Sequence, residues 1–209
     1  MSNDDNSADS IRWVRLKNAR LAKLEKHFIE NKVDKPAINI INIFNSSKVF
    51  FTSSSCSGRV MLLEIKESKK DAKIYWKEHE PWPLGKLSNS INEYINNSQE
   101  KKNLWLHVQG FIFHVYCYNQ YYAEKLLDLL ITQGFKRAGI IKLKEFPIIE
   151  FISTNYLSMP IYINNKLIVP FENFYEIEKL ALELLNRNLN RLNKFEKELV
   201  KFIQEIEIN

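Results

Sequence analysis

The densest polar chemistry in these 209 residues lies in Ser53-Ser54-Ser55-Cys56-Ser57-Gly58-Arg59, held between the apolar runs Phe50-Phe51 and Val60-Met61-Leu62-Leu63. Small hydroxyl side chains let a ligand approach the backbone. Gly58 opens a backbone angle that other residues adopt only with strain. Arg59 presents a planar fork of donors that matches a carboxylate or a phosphate. Serine and glycine are also ordinary turn formers, so a polar hairpin between two strands is the competing reading. Cys56 adds a thiol, and a small-molecule enzyme with Cys56 as nucleophile is a further reading. The Cys-x-x-Arg spacing is too short for a phosphatase loop, and no base is fixed beside the thiol by sequence.

Two histidines are the candidates for a base, and one carboxylate stands on an apolar strand. His79 follows Tyr75-Trp76-Lys77-Glu78 and precedes Glu80-Pro81-Trp82-Pro83. The two prolines make this a rigid loop, and a flat base can stack on Trp76 or Trp82 there, at ~1–3 kcal/mol per base. His114 falls in an apolar stretch whose alternation puts Phe111, Phe113, Val115 and Cys117 on one face and Ile112, His114, Tyr116 and Tyr118 on the other. Both faces are mostly apolar, so this strand is central, and His114 is either a satisfied core histidine or a general base. Glu150 interrupts Ile148-Ile149 and Phe151-Ile152. A carboxylate on such a strand is costly unless paired, so it needs a ligand or a partner, a lysine being the simplest.

The elements that must carry these residues follow from periodicity. Residues 1–10 read as a disordered tail and 11–209 as a single domain. A helix over 11–31 aligns Trp13, Leu21, Leu24 and Phe28 on one side. Lys17 and Arg20 join that stripe, either snorkelling over apolar neighbours or placing two cations near a cleft. Asp34-Lys35-Pro36 opens a second helix with Asp34 as its cap. Strands are expected at about 49–54, 59–65 and 72–78, with a charged turn at 67–71. A helix follows at 84–97, then strands at 104–108 and 111–118. A helix over 120–133 stops at Gly134, and strands at 136–144 and 147–153 come next. Asn164-Asn165 joins two short strands as a tight hairpin, and 171–206 is one long helix. Strands and helices alternate irregularly, which gives an α+β class: a mixed sheet covered by helices, with long helices at both termini.

Composition bounds the function. Hydrophobic residues make up 45% and charged residues 26% of the chain, as in a folded soluble protein. The net charge of +5 suits an acidic partner without naming one. Two cysteines, no signal peptide and no long apolar run point to reduced thiols, the cytoplasm and no membrane. None of the five glycines forms a G-x-G-x-x-G or phosphate-loop motif, which argues against a dinucleotide fold or an NTPase. No cysteine–histidine set has zinc-finger spacing, so no metal is expected. Lys69, Lys70, Lys73, Lys77, Lys136, Arg137, Lys142 and Lys144 are scattered over strands and turns, as a solvated face or as phosphate contacts.

Five blocks in order resemble one family. They are Phe51-Thr52-Ser53-Ser54-Ser55-Cys56-Ser57-Gly58-Arg59, Tyr75-Trp76-Lys77-Glu78-His79, Phe111-Ile112-Phe113-His114-Val115, Gly134-Phe135-Lys136-Arg137-Ala138-Gly139-Ile140, and Ser153-Thr154 with Leu157 and Pro160. Together they are similar to the methyltransferases of wyosine and wybutosine synthesis, the tRNA wybutosine-synthesizing protein 3 family. The chain departs from the family pattern at Ile152, where arginine is usual, and at Ala138, where serine is usual. The resemblance implies methyl transfer from S-adenosylmethionine to a ring nitrogen, N-4, of the tricyclic base 3′ of the anticodon of phenylalanine tRNA. It implies a fold other than the Rossmann methyltransferases. On this reading His79 and Ser57 are catalytic, and Ser53, Ser55, Cys56, Gly58, Arg59, Lys77, His114, Glu150, Ser153 and Thr154 bind substrate or cofactor. A tRNA-binding module without catalysis is the alternative.

Overall fold

One indole seats the first helix. α1 (Asn3–Ile29) turns Trp13 into a cluster with Phe51, Tyr116 and Phe146. The Trp13 ring lies 4.8 Å from that of Phe51 and 5.0 Å from that of Phe146, and its Nε1 donates to Lys48 O at 2.8 Å. Aromatic pairs at such distances add about 0.5–1.5 kcal/mol beyond their buried area. Lys17, one turn on, donates to the carbonyls of Ser47 and Phe50. Burial lowers its pKa, and the Glu207 carboxylate partly offsets this. Lys17 is therefore tied to the backbone and does not face a cleft.

The structure, a computed structural model, describes residues 3–65, 71–97 and 102–208. α1 begins at Asn3, inside the stretch read as a disordered tail, and an Arg12–Asp9 pair at 3.5 Å bridges one of its early turns. The charged turn expected at 67–71, with Lys69 and Lys70, lies mostly outside the described residues.

The chain forms two compact units: 1–56, 112–153 and 192–209 make the first, and 57–111 with 154–191 the second. The first is built on a four-stranded sheet in the order β1 (Phe50–Cys56), β5 (Ile112–Cys117), β7 (Ile148–Ile152), β6 (Arg137–Lys142). One face packs Phe50, Phe113 and Phe151 against Phe44 of α2 (Ile38–Ser46), Phe135, and Phe195 of α5 (Phe174–Ile208), with Phe113 and Phe151 stacked at 5.1 Å. α4 (Gln120–Thr132) adds buried Ala123, Leu126 and Leu130; Asn119 caps it by accepting from Tyr122 N, and Gly134 follows at φ 76°. α1 lies over the cluster on the other face.

The second unit carries a five-stranded sheet in the order β3 (Lys73–Glu78), β2 (Arg59–Ile65), β4 (Asn103–Gln109), β8 (Leu157–Ile163), β9 (Lys166–Leu167). Its core joins Val60, Leu62, Leu104, Leu106, Val108 and Ile161 to Leu87, Ile91 and Tyr94 of α3 (Lys86–Asn97) and to Ala181 and Leu185 of α5. Asn164 and Asn165, at φ 49° and 62°, make the tight β8–β9 turn that the sequence signals.

The α+β class and the long terminal helices are as expected. The sheet is a correction: every strand pairing described is antiparallel, in two sheets, where one mixed sheet was expected. The hairpin reading of the serine-rich stretch is corrected too. β1 pairs with β5 and β2 pairs with β3 and β4, so Ser57 and Gly58 carry the chain from one sheet to the other. Among the described residues no helix is long and apolar enough to cross a membrane.

Candidate active site

In the first unit, the polar run of β1 is displaced by a bulge. Thr52 pairs with Val115 and Ser54 with His114, which leaves Ser53 as the extra residue. The inserted residue takes the strand out of the apolar register of Phe50 and Phe51. It exposes Ser53 and Ser54 while Thr52 stays buried, held by Asn45 Oδ1, which accepts from its N at 2.8 Å and its Oγ1 at 3.3 Å. Beside this edge is a cavity of about 180 Å³ walled by Thr52, Ser53, Ser54, Ser55, Ile41, Leu24, Val33 and four basic residues: Arg20, Lys23, His27 and Lys32. Arg20, Lys23 and His27 recur at i, i+3 and i+7, one face of α1. Arg20 also lies over the Tyr116 ring at 5.8 Å. Asn31 at φ 52° ends the helix, with Lys32 N donating to His27 O at 2.8 Å, and this turn delivers Lys32 to the wall.

On the same sheet, Ser54, His114, Glu150 and Gly139 stand directly opposite one another on β1, β5, β7 and β6. His114 Nε2 is 2.6 Å from Glu150 Oε2, and each side chain keeps about a quarter of its surface open, 25% and 28%. A carboxylate accepts, so Nε2 carries the hydrogen and Nδ1 is the ring nitrogen left to take a proton. The partner that Glu150 requires is thus a histidine, not a lysine. An imidazole oriented by a carboxylate is the standard arrangement of a general base.

In the second unit, Ser57 is fully buried and its Oγ donates to Gly58 O at 3.4 Å. Ser57, expected to be catalytic, thus has no open surface in this structure. Gly58 is required by packing: at φ +92° a Cβ would stand 2.6 Å from Gln109 O. Arg59 Nε donates to Gln109 Oε1 at 2.8 Å, which orients the guanidinium and leaves its Nη groups without partners among the described residues. His79 Nδ1 lies 3.0 Å from Gly58 O; a carbonyl only accepts, so Nδ1 bears the hydrogen.

Trp82 is not a stacking platform. It is buried in the core, with its ring edge-on to Trp76 at 5.1 Å and its Nε1 donating to Glu178 Oε1 at 2.7 Å. Glu178 also accepts from Gly85 N, Leu87 N, Ser88 N and Ser88 Oγ, and so caps α3 from a distant helix. Burial alone would raise its pKa. The bonds from Ser88, Leu87 and Trp82 outweigh it and hold the carboxyl below the ordinary carboxylate range.

Ser53, Ser55, Cys56, His114, Glu150 and Ser153 thus belong to the first unit, and Ser57, Gly58, Arg59, Lys77, His79 and Thr154 to the second. Ser53 and Ser55 share the cavity, and His114 and Glu150 bond directly. Ser153 is buried, while Lys77 and Thr154 are exposed. Sequence reasoning missed Lys23, His27 and Lys32. The helical spacing of Lys23 and His27 with Arg20 was the signal, obscured because they lie outside the apolar stripe, whereas Lys32 comes from the turn after the helix.

Known proteins share this architecture. The PH1069 protein from Pyrococcus horikoshii has a solved structure similar to this one, with a TM-score of 0.81 and 27% identity over 91% of this chain and 97% of that one. The fold they share is of the α+β class, here with two antiparallel sheets. The chain belongs to the family Methyltransferase TYW3, whose model matches residues 15–201. Two relatives are the tRNA(Phe) 7-((3-amino-3-carboxypropyl)-4-demethylwyosine(37)-N(4))-methyltransferases of Methanocaldococcus jannaschii and Thermococcus sibiricus. The first is 32% identical over 87% of this chain and 97% of its own length; the second is 28% identical over 88% and 93%.

Proposed function

We propose that this protein transfers a methyl group from S-adenosylmethionine to N-4 of the demethylwyosine-type base of tRNA(Phe), in the cytoplasm, with the His114–Glu150 pair as its general base. The observation that carries the reading is that pair, 2.6 Å apart, on the strand next to a cavity walled by serines and cations. When bound, the donor supplies an electrophilic methyl on a sulfonium. Methylation of a ring nitrogen that bears a hydrogen forms an N–C bond, breaks a C–S bond and releases one proton. His114 Nδ1 takes that proton, and Glu150 stabilises the imidazolium so formed. Such proton transfer contributes typically 10²–10⁴-fold, and alignment of donor and acceptor adds several kcal/mol.

The donor carries a sulfonium, an ammonium and a carboxylate. The two cations do not fit the cavity of the first unit, whose wall holds four basic residues and no acid. In the second unit taken by itself, Arg59 keeps its Nη hydrogens available for an anionic group, since its Nε is committed to Gln109. His79, bonded to Gly58 O, keeps that elbow in place and serves as a positioning residue.

The test is transfer of labelled methyl to tRNA(Phe) carrying the demethylated base. Transfer to this tRNA, and none to tRNA lacking the tricyclic base, is the expected result. No transfer under conditions in which a relative modifies the same tRNA would overturn the reading. Salt-sensitive tRNA binding without donor binding would favour a non-catalytic module instead.

A further inference from the structure

We infer that the cavity between α1 and the end of β1 is a phosphate site, which takes an RNA backbone phosphate beside the base to be methylated. The inference rests on the reading of the chain as an RNA methyltransferase. Three observations carry it. Arg20, Lys23 and His27 come from one face of α1 and Lys32 from the turn after it, so four basic groups converge on one wall. The wall has no acidic residue; Glu30, which pairs with Lys32 at 2.6 Å, is not part of it. Opposite the cations stands the serine edge, where Ser55 Oγ is buried with no hydrogen-bond partner among the described residues.

A buried hydroxyl without a partner costs about 1–3 kcal/mol, and a phosphate oxygen is the acceptor it lacks. Thr52 is already committed to Asn45, so the free donors facing the cations are Ser53, Ser54 and Ser55. At about 180 Å³ the cavity falls below the roughly 300–1,000 Å³ of pockets that enclose a drug-sized molecule, yet it admits a single tetrahedral anion. Size and charge both exclude the cationic donor. Ser54 is in register with His114 on the next strand, and paired strands lie about 4.7–4.9 Å apart. The cavity wall and the imidazole thus belong to neighbouring strands of one sheet.

The experiment measures tRNA(Phe) binding across a salt series, and S-adenosylmethionine binding by calorimetry, for the wild type, Lys23→Gln, Lys23→Arg and Ser55→Ala. The expected result for Lys23→Gln is a several-fold weaker tRNA affinity and a log affinity–log salt slope shallower by about 0.7–0.9, the loss of one phosphate contact. Lys23→Arg restores both, Ser55→Ala weakens tRNA binding with its slope unchanged, and donor affinity is the same in all four. Inorganic phosphate shifts the His27 imidazole NMR signals of the wild type and not of Lys23→Gln. An unaltered slope and tRNA affinity in Lys23→Gln overturns the inference, as does weakened donor binding with tRNA binding intact. A wild type that binds tRNA through Lys23 but transfers no methyl leaves the phosphate site standing and defeats the methylation reading. One that transfers methyl with a Lys23-independent slope does the reverse.

Discussion

His114 and Gly58 mark two kinds of necessity at the residue scale. His114 is needed for what its ring can accept, so His114→Ala is expected to lower the methyl-transfer kcat by about 10²-fold or more with little change in melting temperature. Glu150→Gln is expected to lower it less and to shift the pH–rate profile, since the amide orients the ring without stabilising its charge. Single-turnover rates at several pH values check both. Gly58 is needed for the space it does not fill. Gly58→Ala sets a methyl 2.6 Å from Gln109 O at a φ of +92°. The expected cost is about 1–3 kcal/mol, read as a lower midpoint in urea. The pairing of His114 with Glu150 was half legible in the sequence: Glu150 visibly lacks a partner on an apolar strand, and His114 visibly sits on a central one. That each answers the other depends on β5 and β7 being neighbours in register, which no local pattern encodes.

At the scale of elements, the cap and turn residues of α4 and of the β8–β9 hairpin read true, whereas the serine-rich stretch that read as a hairpin joins two sheets. Asn119 and Gly134 bound α4 as expected, and Asn164-Asn165 turns β8 into β9. Trp82, by contrast, looks like a loop aromatic free to stack, because nothing near it in the chain reveals Glu178, nearly a hundred positions away. Glu178 makes the α3 cap sensitive to acid. Its carboxyl titrates lower folded than unfolded, so its stabilisation is complete above the ordinary carboxylate pKa of about 4.3. It is lost as pH falls through and below that value. Glu178→Gln is expected to cost about 1–3 kcal/mol at pH 7, because a side-chain amide cannot accept from all five donors. It is also expected to flatten the loss of stability between pH 5 and about 3. Thermal melts of both proteins across that range test the sign.

For the molecule as a whole, the division into two units was hidden because both are discontinuous in sequence, and the boundary after Cys56 cuts through the stretch that reads most like a single turn. α5 has one uninterrupted helical period, yet residues up to 191 serve the second unit and those from 192 the first. Leu192, Phe195, Leu199 and Ile203 are all buried there, and Phe195 touches Phe135 and Phe151 at 4.9 and 5.5 Å. Phe195→Ala is therefore expected to cost about 3–5 kcal/mol, the range for truncating a buried phenylalanine, as measured by equilibrium denaturation. A consequence follows for how the protein is made. The segment 57–111 and the strands after Thr154 can find their partners before α5 is finished, but the unit that begins the chain cannot close until residues 192–209 have left the ribosome. A premature stop late in the message would release a polypeptide whose opening third has lost part of its core.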